Sequence, residues 1–197
     1  TKVPVILTFA GEINSGWSWS ADHNGGFDTN GYGDPRWPDG PERYRDAYRH
    51  VIELFRREGV NNVTWGFHVG VPWPGEDPGN AIRYYYPGDA YIDWLGVSIY
   101  AAYGDALEAI MPFRSFKEIM ADVYPALAQL SPNKPLALFE LGLTDKPSKP
   151  ERKPKWITDA LAQLAEGKRW PRVKAFYYWH EYAEGKENST AIDSSPQ

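Results

Sequence analysis

Two glutamates stand in or directly after apolar segments of the chain. Glu12 follows the apolar run 3–9, and Glu140 lies within the apolar run 136–142. Burying a carboxylate costs several kcal/mol unless its charge is paired, which favours a functional interpretation of both residues. Two carboxyl groups that face one sugar ring can cleave a glycosidic bond, because one protonates the leaving oxygen while the other attacks the anomeric carbon. We expect a separation of about 5–5.5 Å for this retaining mechanism, against roughly 6.5–9.5 Å for an inverting one.

Four further side chains are candidates for substrate binding because they lie in the loops or strand ends near these carboxylates. Tyr100 can donate its phenol to a carboxylate or pack in the core, and both interpretations stay open. His68 has no histidine or carboxylate at metal-ligand spacing, so we expect a structural or substrate-contacting histidine and no metal. Trp17 and Trp179 offer aromatic faces that suit the C–H side of a pyranose. The predicted substrate-binding residues are therefore Trp17, His68, Tyr100 and Trp179.

Strands and helices alternate along the chain and must position these side chains. The first apolar run predicts a buried strand, and a capping box at Ser115 and Glu118 predicts a helix that Pro125 ends or kinks. The alternation predicts an α/β fold with parallel strands, which is either a doubly wound sheet or part of an eight-stranded barrel. Both folds place their chemistry at the carboxyl ends of the strands. The predicted elements are strands 3–9, 62–68, 94–100, 135–139 and 173–179, helices 41–58 and 155–166, and between them a helix from 115 to Pro125 with a second short helix from there to 130.

Composition excludes several classes of function. The chain has 197 residues, a net charge of −5 and no cysteine, and 15 % of its residues are aromatic. The acidic balance argues against a nucleic-acid partner, and no apolar stretch reaches the roughly 18 residues of a membrane span. Without cysteine there is neither a disulfide scaffold nor a thiol nucleophile. We also expect no cofactor.

Four segments of the chain resemble glycoside hydrolase family 26, the retaining β-mannanase family. The resemblance implies that Glu12 is the acid/base, that Glu140 is the nucleophile and that Tyr100 holds the nucleophile by a hydrogen bond. It also implies that Trp17 contacts the sugar. The segments are residues 4–17, 48–65, 86–100 and 134–142, and the third is the most specific.

The chain departs from the family in two ways. The mannanases carry a histidine immediately before the acid/base, and this chain has Gly11 in its place. The family fold is a complete (β/α)8 barrel, of which residues 1–197 would hold about strands four to eight as a partial catalytic domain. An open sheet of this kind would expose its edges, so we expect a missing N-terminal segment or a second chain to complete the barrel.

The resemblance implies a retaining endo-β-glycoside hydrolase acting on a plant-type β-glycan, with β-1,4-mannan as the first candidate. A polymeric substrate of this kind implies a secreted protein. Three alternatives stay open. The chain could be a mixed-linkage β-glucanase or β-1,3-xylanase, or a carbohydrate-binding relative without catalysis. It could also be a doubly wound fold with unrelated chemistry, in which Glu12 and Glu140 would lie far apart.

Overall fold

Strands and α-helices alternate in the structure, as the sequence pattern predicts. The computed structural model describes residues 3–73, 75–101, 108, 112–146, 148–182 and 189–194. The strands are β1 (Val5–Thr8), β2 (Val63–Gly70), β3 (Trp94–Tyr100), β4 (Leu136–Gly142) and β5 (Val173–Tyr178), and the helices are α1 (Asp39–Arg57), α2 (Phe116–Leu130) and α3 (Arg152–Glu166). Short 3-10 turns at Pro78–Asn80 and Ile82–Tyr84 lie between β2 and β3.

The strands form one sheet in the order β1-β2-β3-β4-β5. β1 pairs with β2 in parallel, with Val5 opposite Val63 and Thr8 opposite Gly66. A doubly wound sheet has a point at which its strand order reverses. Over the described residues the order follows the sequence without such a reversal, so the doubly wound alternative is wrong.

The chain divides into two compact units. The first comprises Thr1–Val97 and Pro125–Leu136, and it contains β1, α1, β2 and the beginning of β3. The second comprises Ser98–Tyr124 and Ala137–Gln197, and it contains the end of β3, most of β4, α3 and β5.

An aromatic cluster fixes α1 to the strands of the first unit. Tyr44, Tyr48 and Ile52 lie on the buried stripe of the helix. The hydroxyl of Tyr48 donates to the backbone oxygen of Gly66 on β2 at 2.7 Å, and its ring lies 5.4 Å from that of Phe9. Burial raises the pKa of the Tyr44 and Tyr48 hydroxyls because it disfavours the phenolate. The cluster therefore gives the loop that follows β1 a rigid base.

The first turn of α1 holds the long loop between β1 and this helix. The Asp39 carboxylate accepts from the backbone N–H of Gly31 at 2.7 Å, and that of Glu42 accepts from the N–H of Asp34 at 2.9 Å. Glu42 also pairs with Arg45 at 2.8 Å. Two buried carboxylates at a helix N-terminus are favourable because the helix dipole is positive there. The loop that carries the candidate Trp17 is thus tied to a fixed element.

The prediction that the first strand is buried is wrong. Val3 is 64 % exposed, and Val5 and Ile6 are each 43 % exposed. β1 stands at the end of the strand order and pairs with β2 on one side. Its outer edge therefore has no neighbouring strand among the described residues, and its apolar side chains remain partly exposed.

In α2 the predicted capping box is present but the predicted end at Pro125 is not, and β4 is longer than predicted. The capping box forms, since Ser115 Oγ accepts from the backbone N–H of Glu118 and the Glu118 carboxylate accepts from that of Ser115. The helix then continues through Pro125 without a break. A proline removes one backbone donor, and buried side chains on both sides of it keep this helix packed. β4 extends to Gly142, so Glu140 lies inside the strand and not after it.

No helix within the described ranges combines the length and apolar character needed to cross a lipid bilayer.

Candidate active site

Glu12 lies in a left-handed turn directly after β1. The backbone φ angles of Ala10 and Glu12 are 46° and 55°. This region costs a residue with a side chain about 1–2 kcal/mol, and such strain persists only where the surroundings impose it. The backbone N–H of Glu12 donates to the carbonyl of His68 at 3.1 Å, which ties the turn to β2.

Two stacked tryptophans hold the same turn from the loop side. Trp17 Nε1 donates to the carboxylate of Glu12 at 2.7 Å, and Trp19 Nε1 donates to the backbone oxygen of Gly11 at 2.9 Å. Their ring centroids lie 5.6 Å apart with planes 18° from parallel. Both rings are about half exposed. The predicted sugar contact, Trp17, therefore also orients the candidate acid/base carboxylate.

His68 lies on β2 beside this turn. It is 6 % exposed, and burial lowers the pKa of its imidazole to about 4, so the ring is neutral at neutral pH. A Cβ atom at Gly11 would stand only 2.8 Å from Nδ1 of this ring. The substrate contact expected of His68 stays a prediction, since so little of the residue is exposed.

Glu140 and Tyr100 meet in the second unit. The Tyr100 hydroxyl donates to Oε2 of Glu140 at 2.7 Å, across the pair β3 and β4. Gly142 leaves room for the tyrosine ring, because a Cβ atom there would stand 2.6 Å from Tyr100 Cε1. The hydrogen bond that the family resemblance implies is therefore present, and it fixes the rotamer of the carboxylate.

Trp179 lies immediately after β5 and is 45 % exposed. Its backbone N–H donates to the carbonyl of Leu141 at 2.9 Å, and its indole N–H donates to the carboxylate of Glu181 at 2.8 Å. An indole held at its polar edge keeps its faces in a fixed orientation. This geometry suits the sugar contact predicted for Trp179, which stays a prediction.

Sequence reasoning missed a buried lysine in the second unit. Lys153 is 2 % exposed, and its ammonium donates to the backbone oxygens of Ser189 and Ala191 and to Ser194 Oγ. Asp145 is its ionic partner at 3.4 Å, while burial lowers the pKa of the lysine. These bonds fasten the segment after β5 to the first turn of α3. The available signal was that Lys153 shares a helical stripe with the buried Trp156 and Ala160.

Residues 1–134 match the family described as glycosyl hydrolase family 26. The chain belongs to this family. Among curated relatives, it is 29 % identical over 189 residues to Endoglucanase H of Acetivibrio thermocellus, which covers 94 % of this chain and 18 % of that protein. The family resemblance inferred from the four segments is thereby confirmed.

Solved structures of the family share this fold. The catalytic domain of the endo-β-1,4-mannanase from Bacillus sp. JAMB-750 matches with a TM-score of 0.65 at 21 % identity, over 94 % of this chain and 43 % of that one. A Cellulomonas fimi endo-β-1,4-mannanase matches with a TM-score of 0.66 at 20 % identity, over 98 % of this chain and 38 % of that one. The β-mannanase of Bacteroides ovatus matches with a TM-score of 0.61 at 22 % identity, over 98 % of this chain and 48 % of that one.

This family 26 chain therefore spans less than half the length of these solved relatives and about a fifth of Endoglucanase H. It matches the mannanase structures over nearly all of its own residues. The prediction of an incomplete (β/α)8-type fold is confirmed.

Proposed function

We propose that this chain carries the two catalytic carboxylates of a retaining endo-β-glycoside hydrolase, with Glu12 as acid/base and Glu140 as nucleophile. The observation that supports this most directly is that each carboxylate accepts a 2.7 Å hydrogen bond from an aromatic side chain, Trp17 for Glu12 and Tyr100 for Glu140. A carboxylate held in one orientation meets the positioning requirement of catalysis. Membership of the family adds to this support.

The reaction proceeds in two displacements. In the first, the Glu140 carboxylate attacks the anomeric carbon, the bond to the leaving sugar breaks, and the Glu12 carboxyl group protonates the departing oxygen. The product of this step is a glycosyl ester of Glu140. In the second, the Glu12 carboxylate removes a proton from water, which attacks the same carbon and releases Glu140. Two inversions restore the β configuration.

Aromatic side chains supply the contacts to the sugar. Trp17 and Trp179 each present a partly exposed indole whose N–H is already bonded to a carboxylate, so the ring face is the surface that remains for a pyranose. Tyr100 borders the nucleophile, and His68 borders the turn of the acid/base. We assign these four residues to substrate binding around the two carboxylates.

We propose β-1,4-mannan as the substrate and mixed-linkage β-glucan as the second candidate. The titles of the structural relatives name mannanases, which favours mannan. Two observations favour a glucan: the relative named Endoglucanase H, and glycine at position 11, where the resemblance expects a histidine in mannanases. β-1,3-xylan is the third polysaccharide to test.

Hydrolysis of the three polysaccharides tests this function. The assay uses the complete protein that contains this chain, with Glu12→Gln and Glu140→Gln variants as controls, and it follows reducing ends and the anomer first released. We expect cleavage of one β-glycan with the β anomer formed first. Tight oligosaccharide binding without hydrolysis would instead establish a carbohydrate-binding relative, and the α anomer would establish inversion.

We further propose that more protein covers β1 in the complete molecule, either an N-terminal segment or a second chain. The exposed side chains of Val3, Val5 and Ile6 support this, as does the fraction of the solved relatives that this chain spans. We also propose that the protein is secreted, because a polymeric substrate lies outside the cell.

Replacing Tyr100 by phenylalanine tests the support of the nucleophile. The change keeps the ring that packs against Gly142 and removes one hydrogen bond to a carboxylate, worth about 1.5–3 kcal/mol. We expect kcat/KM to fall by about 10- to 100-fold, for a natural oligosaccharide and for an activated aryl glycoside alike, because both require the nucleophile. Tyr178→Phe is the matched control, since that hydroxyl donates to the backbone oxygen of Thr190. Equal rates for Tyr100→Phe and wild type would contradict the assignment.

A further inference from the structure

Gly11 lies between two left-handed residues and against the imidazole of His68. An ideal Cβ atom at this position would stand 2.8 Å from Nδ1 and 3.3 Å from Cε1 of the ring. Real Cβ atoms essentially never approach another heavy atom below 3.0 Å. Any side chain at position 11 must therefore displace either the imidazole or the turn that contains Ala10 and Glu12.

The imidazole has little room to move. His68 is 6 % exposed, so its ring is enclosed by the protein. Protein interiors are close-packed, so a displaced buried ring must push other side chains. The turn is therefore the part that yields when the space over Gly11 is filled.

Two hydrogen bonds hold the backbone of this turn at Gly11 and Glu12. The N–H of Glu12 donates to the carbonyl of His68, and Trp19 Nε1 donates to the carbonyl of Gly11. A shift of Gly11 thus moves the backbone of Glu12 against the fixed indole of Trp17, which holds the carboxylate. Misplacement of a catalytic group by about 1 Å can cost roughly 100-fold in rate.

We propose that His68 and Gly11 together position Glu12: the ring of His68 occupies the volume that a side chain at position 11 would need and thereby sets the place of the Ala10–Glu12 turn. His68 is then a positioning residue that acts through Glu12. The inference rests on the proposed function, because it gives Glu12 the role of acid/base.

The leaving group of the substrate provides a specific readout. Departure of a sugar alcohol requires protonation by the acid, whereas dinitrophenolate departs without it. Misplacement of Glu12 therefore lowers kcat/KM for an oligosaccharide and spares kcat/KM for the dinitrophenyl glycoside of the same sugar. A loss of folded protein or of general binding lowers both.

The experiment compares Gly11→Ala, His68→Ala and the double variant in the complete protein with these two substrates. We expect Gly11→Ala to lower kcat/KM for the oligosaccharide by about 10- to 100-fold and to change that for the aryl glycoside by less than about 3-fold. In the His68→Ala background the added methyl group has space, so Gly11→Ala is expected to lower kcat/KM for the oligosaccharide by less than about 3-fold. His68→Ala alone leaves the turn without its support and is expected to lower kcat/KM for the oligosaccharide more than that for the aryl glycoside, because loss of a sugar contact by His68 would lower both equally.

Gly59→Ala is the matched control for backbone strain at a position away from the candidate active site. Gly59 has a φ of 71° and nothing within 4 Å of its ideal Cβ, and it follows α1 at the end remote from the turn. An alanine there destabilises the backbone. We expect it to lower the thermal unfolding temperature without any difference between the two substrates.

Three outcomes would overturn the proposal. Equal losses of kcat/KM on both substrates for Gly11→Ala would indicate a general structural effect. If Gly11→Ala lowers kcat/KM for the oligosaccharide as much in the His68→Ala background as in the wild type, His68 does not position Glu12. If Gly11→Ala does not fold, equal losses of kcat/KM on both substrates for His68→Ala would overturn the proposal. Glu12→Gln separates this inference from the function: if it shows the leaving-group selectivity and Gly11→Ala does not, only the inference fails, and if Glu12→Gln lacks it, both fail.

Discussion

Replacing Glu140 by glutamine is expected to lower kcat/KM for the hydrolysed β-glycan by about four orders of magnitude or more. Glutamine keeps the shape of the side chain and can still accept the hydrogen bond from Tyr100, which the glutamate accepts at 2.7 Å. It lacks the negative charge that forms the bond to the anomeric carbon. Because the bond to the anomeric carbon forms in the same displacement in which the leaving group departs, the dinitrophenyl glycoside should lose activity as completely as the oligosaccharide.

The measurement is steady-state hydrolysis of both substrates by the complete protein, with far-UV circular dichroism to show that the variant folds. Glu166→Gln is the matched control, since Glu166 is exposed at the end of α3. Removing its charge should leave kcat/KM unchanged. Residual activity of Glu140→Gln above about 1 % of wild type would assign the nucleophile to another residue.

Replacing Glu12 by glutamine is expected to lower kcat/KM for oligosaccharides by about 100- to 10,000-fold, the usual contribution of a positioned acid. The dinitrophenyl glycoside should lose less than about 10-fold, because its leaving group needs no proton. The amide still fits the site, where Trp17 Nε1 donates to the carboxylate at 2.7 Å. The contrast between the two substrates therefore distinguishes the acid/base from the nucleophile.

Local pattern was sufficient for most elements. The apolar stripe of α1, the capping box at Ser115 and the glycine after α3 each depend on residues a few positions apart, and the structure contains all three features. The hydrogen bond between Tyr100 and Glu140 was also accessible, because the family resemblance implied it. Pro125 was misjudged, since the packing that carries α2 through it involves residues from other elements.

The sequence by itself determined the alternating α/β architecture, the family and the carboxylates worth testing, because hydrophobic period, capping and motif spacing are properties of neighbouring residues. Only the tertiary structure decided that the side chains of β1 are exposed and that the imidazole of His68 occupies the space over Gly11. Such facts depend on which distant segments come into contact. Excluded volume between residues 11 and 68 exists only once β1 and β2 have paired, so no local pattern records it.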